Sequence, residues 1–508
     1  RIRHLLVDEF QDTSPTQIEL LERLTAGWSG GQGAGDGRTL FCVGDPMQSI
    51  YRFRKAEVGL FLQAKSHGIG GLALTPLRLS RNNRASPPLV DWINTAFPAI
   101  FPGRDEPLRG EISYRPFVAT REILPDAGVV VHALLADKGD STAAARVEAA
   151  RMVAIIEAEW RVDPTRRIAV LVRARDHLAA LVAAIRRHPA GWRHTAVEIE
   201  PLLGRQAVQD LISLTRALHH RGDRLHWLAI LRAPWCGLTL ADLHALAGDD
   251  HDATIWSLLN DAPRVARLSA DGRRRLVHLR EVMAEALAGQ GRQARRRWVE
   301  DAWRKLGGAA GLVDAAGVAD AAGLADLADS GAFFKRLDQL DAAGRFTLDS
   351  LEDDMARLFA APDAQADGRL QLMTIHTAKG LEFDTVILPG LHRPAPVPEA
   401  PLLAWDSFPL DEGERLLVAP VNRRRRRGRN EPTVHDFLQD MERERAGNEA
   451  SRVLYVAVTR AVRRLHVLAV ASRNEDGELV APPANSLLAR LWPLIEGEFA
   501  TTAQAEMA

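Results

Sequence analysis

Two cysteines, Cys42 and Cys236, are the only thiols in 508 residues. They offer neither a metal-ligand spacing nor a disulfide framework, which excludes a disulfide-stapled scaffold and suits a reducing cytoplasm. No apolar run reaches the ~20 residues that cross a bilayer, so a transmembrane helix is excluded and no membrane partner is expected. Net charge is nearly absent too, at -1. With no global basic field, any contact with a polyanion has to be a local groove. An initiator Met is also missing. The chain opens Arg1-Ile2-Arg3-His4 and enters a buried-strand pattern at once, which reads as an internal starting point and says nothing of upstream targeting signals.

What is present is ordinary for a globular protein: 46% hydrophobic and 26% charged residues. The length predicts roughly three domains. Most of the positive charge is arginine, which suits forked phosphate contacts but is explained more simply by a GC-rich coding bias.

The spacing of apolar residues predicts strands at 4–7, 39–43, 129–135, 168–172, 370–373, 385–388 and 464–469, with an extended segment at 73–79. Helices are expected at 16–24, from Ser86-Pro87-Pro88 onward, and at about 141–160 and 175–187. Ser29 to Arg38 is a Gly-rich loop, and residues 100–128 are proline-rich and irregular. From 205 to about 362 the chain turns helical and rich in Ala, Leu and Arg, least regularly over Gly307 to Ala328. An α/β sequence therefore surrounds an all-helical block, the pattern of an insertion within an α/β domain.

Two segments carry chemistry. In Leu5-Leu6-Val7-Asp8-Glu9-Phe10-Gln11-Asp12 a strand delivers adjacent carboxylates to its C-terminal end, where open α/β sheets bind ligands. Phosphoanhydride hydrolysis needs one carboxylate on Mg²⁺ and another to orient or deprotonate water; Asp8 fits the first role and Glu9 the second. The plain alternative is that Asp-Glu simply ends a strand. In Val43-Gly44-Asp45-Pro46-Met47-Gln48-Ser49-Ile50-Tyr51-Arg52-Phe53-Arg54 a strand ends in a tight turn presenting an amide, two aromatics and two arginines. Gln48 is placed to sense a γ-phosphate. Phe53 offers a face to an unstacked base, a contact of about 1–3 kcal/mol that tolerates any sequence. Tyr51 and Phe53 read equally as core aromatics.

These two segments resemble motifs II and III of superfamily 1 helicases of the UvrD/Rep branch. The later motifs follow in the family's order. Leu79-Ser80-Arg81-Asn82-Asn83-Arg84 resembles motif IV; Gln371 to Phe383, with Thr374-Ile375-His376-Thr377-Ala378-Lys379-Gly380-Leu381-Glu382, resembles motif V; Val453 to Ala461, with Thr459-Arg460, resembles motif VI. The resemblance implies tandem RecA-like P-loop NTPase domains, α/β in class. The first is present in part (1–76), and the second is split (77–204 and 363–475) around an all-helical insertion (205–362), with a tail at 476–508. It implies ATP and Mg²⁺ as cofactors, with Asp8 on the metal. Glu9, Gln48, Arg84 and Arg460 would be catalytic, the two arginines reaching the γ-phosphate. Planar, permanently charged donors suit that position. Arg54, Gly380 and Glu382 would meet nucleotide, Glu382 at the ribose. Tyr51, Phe53, Thr374 and His376 would lie along DNA, with a buried structural histidine as the lesser, competing reading of His376; Lys379 is a candidate for the phosphate backbone.

Two departures stand out. Asn83 occupies the place before Arg84 where the family usually carries an aromatic thought to stack on adenine, and an amide has no π-face. The Gly-rich P-loop with its Lys occurs nowhere in these 508 residues and in family order would precede residue 1. Without that cradle Asp8 has little metal-phosphate to organise, so this chain by itself is expected to hold ATP poorly. The His-Thr-Ala-Lys-Gly form, the Pro-rich stretch after motif V and Ser486 to Pro493 look most like the RecB/AddA recombination helicases, which often carry a nuclease. The remainder after Ala461 is too short for one, so the chain is either cut or a nuclease-free relative. The expected activity is ATP-driven 3′–5′ movement on single-stranded DNA, acting at duplex junctions in recombination or repair, with a possible nuclease or helicase partner subunit. The alternative is a non-catalytic DNA-binding or partner-docking protein derived from a helicase. Arg423 to Arg427, between motifs V and VI, reads as a solvated charge run or as a contact to DNA backbone.

Overall fold

The computed structural model describes residues 2–28, 37–137, 140–196, 202–314, 321–359, 366–396, 399–410, 413–421, 433–474 and 478–507. The chain divides into two units, residues 1–195 with 365–508, and residues 196–364. Besides the two-residue strands Arg81–Asn82, Val118–Ala119 and Thr195–Ala196, the strands are β1 (His4–Val7), β2 (Thr39–Cys42), β3 (Gly128–Asp137), β4 (Ile168–Val172), β5 (Leu370–Thr374), β6 (Phe383–Leu388), β7 (Leu403–Leu410), β8 (Gly413–Pro420), β9 (Ala461–Arg473) and β10 (Leu479–Val480).

Five of them form a parallel sheet in the order β3-β9-β6-β4-β5. Ile168-Ala169-Val170-Leu171-Val172 explains why: a continuous apolar run can be buried on both faces only inside a parallel sheet, and all five residues have no exposed surface. Helices Ser141–Val162 and Ala179–Arg187 pack with it, the first opened by Asp140, whose carboxylate accepts from Ala143 N at 2.8 Å. The chain leaves this sheet after β4, builds the second unit, and returns as β5 beside the strand it left. β10 lies antiparallel on the end of β9, and the helix Leu488–Met507 adds Leu488, Leu491, Ile495 and Phe499 to the same core.

The first carboxylate segment sits on a much smaller sheet. β1 and β2 pair in parallel, His4 with Thr39 through Val7 with Cys42, and exposed and half-buried residues alternate along both. The helix Pro15–Thr25 follows, with proline in its first turn and Gln17 Oε1 accepting from Ser14 N at 2.9 Å. Residues 73–79 pair with no strand: Leu77 and Leu79 stand 82% and 91% exposed, so extended composition found no partner there.

The longest helix among the described residues, Val434–Val458, carries Val453 to Val458 of the motif VI segment, with Thr459 and Arg460 just past its end. It is opened by a capping box in which Thr433 N donates to Asp436 (3.0 Å) and Asp436 N donates to the Thr433 hydroxyl (3.1 Å). Its N-terminal part packs under the antiparallel ribbon β7–β8 through Leu438. The ribbon was not foreseen from the sequence.

The second unit, described by itself, is built of helices, chiefly Gln206–His219, Arg224–Arg232, Ala270–Ala288, Arg295–Lys305 and Ala321–Ala342. Leu211, Trp227, Leu279, Trp303, Phe333 and Leu337 form its dry core. Asp242 ties its helix starts together, accepting from the Thr239 hydroxyl and from Ser269 N, each at 2.7 Å.

The whole is a mixed α/β protein of the RecA-like P-loop class expected from the motif order. The Gly-rich loop (mainly 29–36), part of Gly307 to Ala328 (315–320) and the run Arg423 to Arg427 lie outside the described residues.

Candidate functional site

β1 ends at Val7, and the chain then bends through Glu9, which takes the left-handed conformation at φ 50°, ψ 39°. For a residue with a Cβ this costs about 1–2 kcal/mol, so the surroundings have to impose it. Phe10 N donates to Val43 O at 2.9 Å, Glu9 N donates to Asp8 Oδ1 at 2.8 Å, and Asp12 N donates to Glu9 O at 2.9 Å. Gln11, buried, holds the turn from the side: its Nε2 donates to Glu9 Oε2 at 2.6 Å and its Oε1 accepts from Asp45 N at 3.0 Å. Gly44 is required by this contact, because a Cβ there would lie 2.2 Å from Gln11 Oε1. Asp8 and Glu9 themselves are exposed.

After β2, Asp45 caps a short 3₁₀ turn, accepting from Met47 N (2.9 Å) and from Gln48 Nε2 (2.8 Å). Burial raises the Asp45 carboxyl above its ordinary range despite these bonds. Gln48 Oε1 accepts from Arg460 Nη2 at 3.2 Å. Arg460 is 1% exposed and also donates to the carbonyls of Val456 (3.0 Å) and Leu381 (3.2 Å). Burial, then the neighbouring Arg84 guanidinium, pull its pKa down to about 10. Arg84 donates to Glu382 Oε2 at 3.1 Å and to Thr459 O at 3.3 Å. Gln48, Arg84, Glu382 and Arg460 thus form one connected patch.

Lys379, a candidate for the phosphate backbone from sequence, lies elsewhere. Its side chain is 6% exposed, pairs with Glu9 Oε2 at 3.0 Å and with Asp12, and lies over the Tyr51 ring, 5.0 Å from its centroid. Burial raises the Asp12 carboxyl above its usual value although Lys379 pulls the other way. Glu9, Asp12, Ser14, Gln17, Tyr51, Arg54, Lys379 and Gly380 line a cavity of about 530 Å³. Gly380, at φ 85°, turns the backbone at its wall.

The aromatic residues stand beside this cavity. Tyr51 donates to His376 O at 3.2 Å, and the Phe53 ring meets the His376 ring edge-on at 5.4 Å. Arg54 lies over both Tyr51 (4.9 Å) and Phe53 (5.5 Å). Tyr51 is half-buried, whereas Phe53 is 67% exposed and presents a free face. Burial, then Arg173, lower the His376 pKa below its ordinary value, favouring a neutral ring. Thr374 pairs its hydroxyl with that of Thr377 at 2.9 Å. Asn83 bonds Thr120 and supplies no ring.

Sequence reasoning passed over the groups that hold this arrangement. Arg452, buried on the long helix, donates to Ser49 O and Gly110 O, both at 2.7 Å. Glu449 accepts from Arg52 N at 3.0 Å, and Glu442 pairs with the Arg52 side chain. Gln11 and Lys379 lie inside quoted motifs and Arg452 directly precedes one, but nothing in their spacing reveals a buried tether. Among the described residues no three His, Cys, Asp or Glu side chains are grouped to hold a metal ion. Asp8 offers an exposed carboxylate, which fits Mg²⁺, a hard cation that takes one or two carboxylates and completes its shell with water and substrate phosphates.

Residues 1–68 match the UvrD/REP helicase N-terminal domain, and residues 350–472 match the UvrD-like helicase C-terminal domain. The chain is 26% identical to an ATP-dependent helicase/nuclease subunit from Exiguobacterium sibiricum and 28% identical to its namesake from Desulforudis audaxviator, covering 94% of this chain and 40% of each relative. The protein of the same name from Geobacillus kaustophilus is 26% identical over 92% of this chain and 39% of its own length. The chain therefore spans about 40% of the length of these relatives. Two UvrD-type helicase domains, N-terminal and then C-terminal, are thus matched in order along the chain that brings these side chains together.

Proposed function

We propose that this chain supplies the DNA-gripping and γ-phosphate-sensing parts of an ATP-driven DNA helicase that works on single-stranded DNA in recombination or repair. The direction is 3′ to 5′ by family resemblance. The observation that carries the reading is the Arg460–Gln48 contact at 3.2 Å, which joins motif VI to motif III. On the same loop, five residues on, stands the exposed Phe53. A change at the phosphate position is thus transmitted through Gln48 to the base-stacking ring, the coupling a stepping motor needs.

In this reading Asp8 holds Mg²⁺, which supplies charge neutralisation on the phosphates when bound. Glu9 orients and deprotonates the attacking water. Lys379 pairs with Glu9 in this arrangement, so nucleotide has to compete with that ammonium for the carboxylate. Arg84 and Arg460 neutralise charge on the transferred phosphoryl. Glu382, which now pairs with Arg84, would exchange that partner for the ribose. Hydrolysis requires a phosphate cradle that these 508 residues do not contain. This favours a second reading of the chain by itself, as a DNA-binding module without turnover. A nuclease or helicase subunit is the partner to look for, by the names of the relatives.

The test is Glu9→Gln in the helicase carrying its P-loop. Expected are unchanged nucleotide binding and a DNA-stimulated ATPase slower by about 10²–10⁴-fold. Turnover at the wild-type rate would falsify the assignment of Glu9. The 508-residue chain alone is expected to bind oligothymidylate without hydrolysing ATP.

A further inference from the structure

We propose that a cavity at the paired ends of β3 and β9 receives one base of the bound single strand, an amino-bearing base such as cytosine or adenine. The proposal rests on the DNA-binding reading above. β3 and β9 run out side by side, Ala136 opposite Ser472, at the C-terminal edge of the parallel sheet, where open α/β sheets bind ligands. A cavity of about 760 Å³ opens there. Its walls are small or flat: Ala144 and Ala145 on the helix Ser141–Val162, Ala180 on the helix Ala179–Arg187, Val470 on β9, and Pro482 and Pro483. Alanine at these helix starts leaves room that a larger side chain would close. The charged and ring groups on the lining are Asp140, Asp176, His392 and Arg393.

The loop that carries His392 is fixed from below. Glu148, 1% exposed on the helix Ser141–Val162, accepts from Gly390 N at 2.6 Å and faces the Arg393 guanidinium at 3.8 Å. Gly390 takes φ 68°, and a Cβ there would lie 2.7 Å from His177 Nδ1, so the turn admits only glycine. His392 Nδ1 is buried with no hydrogen-bond partner among the described residues. Burial, then Arg393, lower the His392 pKa to about 4, so the ring is neutral. A buried ring nitrogen left unpaired is a cost that a ligand can remove.

Two observations select the ligand. The first is the pattern of polar groups. The Asp140 and Asp176 carboxylates, both exposed, repel phosphate and accept from an amino group. Cytosine and adenine carry such a group, whereas thymine would set a carbonyl oxygen against the carboxylates. A flat, uncharged ring also suits walls of alanine and proline. The second observation is position. β5, β4, β6 and β9 lie in succession and all run parallel, so Thr374 and Ser472 share one edge of the sheet. Strand spacing and rise put them roughly 20 Å apart. A strand stacked on Phe53 beside His376 covers that span in about six nucleotides at 3.4 Å each.

The experiment is equilibrium binding of the chain to fluorescent oligodeoxycytidylate and oligothymidylate of equal length, long enough to run from Phe53 to the cavity. The parent chain is expected to hold oligodeoxycytidylate about 5- to 100-fold more tightly. Ala145→Leu, which fills the cavity, and Asp176→Asn, at an exposed position, are each expected to lower that preference and leave oligothymidylate affinity unchanged. Phe53→Ala is expected to weaken both strands. A thermal scan checks folding, and Asp176→Asn carries the test if Ala145→Leu does not fold. Equal affinity of the parent for the two strands, or a preference that survives either substitution in a folded chain, overturns the cavity assignment. The Phe53 reading still stands in that case if Phe53→Ala weakens both strands. If Phe53→Ala weakens neither, or the chain binds neither strand, both readings fail. If Ala145→Leu abolishes binding of free deoxycytidine monophosphate but leaves both strands unchanged, the cavity serves a free nucleotide and the proposal is overturned.

Discussion

Two of the parallel sheets in the first unit follow one building plan and differ in how they are packed. Along β4 every residue from Ile168 to Val172 is fully buried, whereas on β1–β2 Leu6 is 73% and Phe41 53% exposed. The thinly packed pair carries the exposed carboxylates, and its key residue Glu9 is held in a left-handed backbone by Gln11 and Lys379. The dry sheet carries Arg460, which leads directly into β9, and Arg84 stands two residues before Ser86, whose N donates to Val462 O of that strand at 2.9 Å. The lesson is a division of labour. In the proposed mechanism the guanidiniums would be set in advance by a well-packed core, while the carboxylates would sit on a thinly packed element held by polar ties that can be exchanged.

The largest effect expected from breaking that division is in the dry sheet. Leu171→Ala removes a side chain with no exposed surface from a strand bonded on both sides, and should cost about 2–5 kcal/mol in a denaturant titration. A cost under about 1 kcal/mol would mean that this sheet is not the anchor.

A comparable effect comes from acid. Glu159, on the helix Ser141–Val162, lies against β6 and β9 of the same sheet, its Oε2 accepting from Arg166 at 2.5 Å and from Thr385 at 2.6 Å, its Oε1 3.3 Å from His466 Nε2. Burial alone would raise its pKa, but the bonds from His466, Thr385 and Arg166 hold it down to about 2 from 4.5. A depressed carboxylate stabilises the fold fully above its unfolded pKa and loses that contribution as pH falls through the folded one. About 3 kcal/mol should therefore disappear between pH 4.5 and 2. His132 adds to the slope earlier: burial, then His466, lower it to about 4 from 6.5, so the unfolded chain takes up protons first as pH falls through that range. Chemical denaturation as a function of pH should show stability declining from about pH 6.5, and Glu159→Gln should flatten the limb below 4.5. An unchanged limb in Glu159→Gln would place the acid sensitivity elsewhere.

The same contrast explains what could be read from the sequence. β4 stands out because both-face burial writes an unbroken apolar run, and the helix opened by Pro87 stands out because proline marks a first turn. Residues 73–79 carry a strand-like composition without a neighbouring strand, and composition alone does not report a partner. The β7–β8 ribbon hid for a related reason: Trp405 and Leu416 are apolar on the face that should be polar, which erases the period-two signal. At the site, Asp8, Glu9, Gln48, Arg84 and Arg460 are marked by motif resemblance, but their connections are non-local. Gln48 and Arg460 lie far apart in the chain and meet only in the fold. Lys379 shows the limit most clearly. Its motif suggests a place along the phosphate backbone, and says nothing of its burial against Glu9 and Asp12, two carboxylates some 370 residues away.

The smallest expected effect tests the thin sheet. Leu6 sits in β1 opposite Phe41, and both project a face that nothing among the described residues covers. Leu6→Thr keeps a residue suited to a strand and removes apolar surface that is already in water. The folded chain therefore loses almost no burial, and the change in stability should stay within about 0.5 kcal/mol. Association at high concentration should fall, because Leu6 and Phe41 form part of an exposed apolar patch. The comparison with Leu171 uses the same kind of residue in the same kind of strand, so burial is the variable that differs. A loss of more than about 2 kcal/mol in Leu6→Thr would show that this face is covered in solution. The carboxylates would then sit on a second rigid body, and the exchange of polar ties at Glu9 would have to be driven against packing.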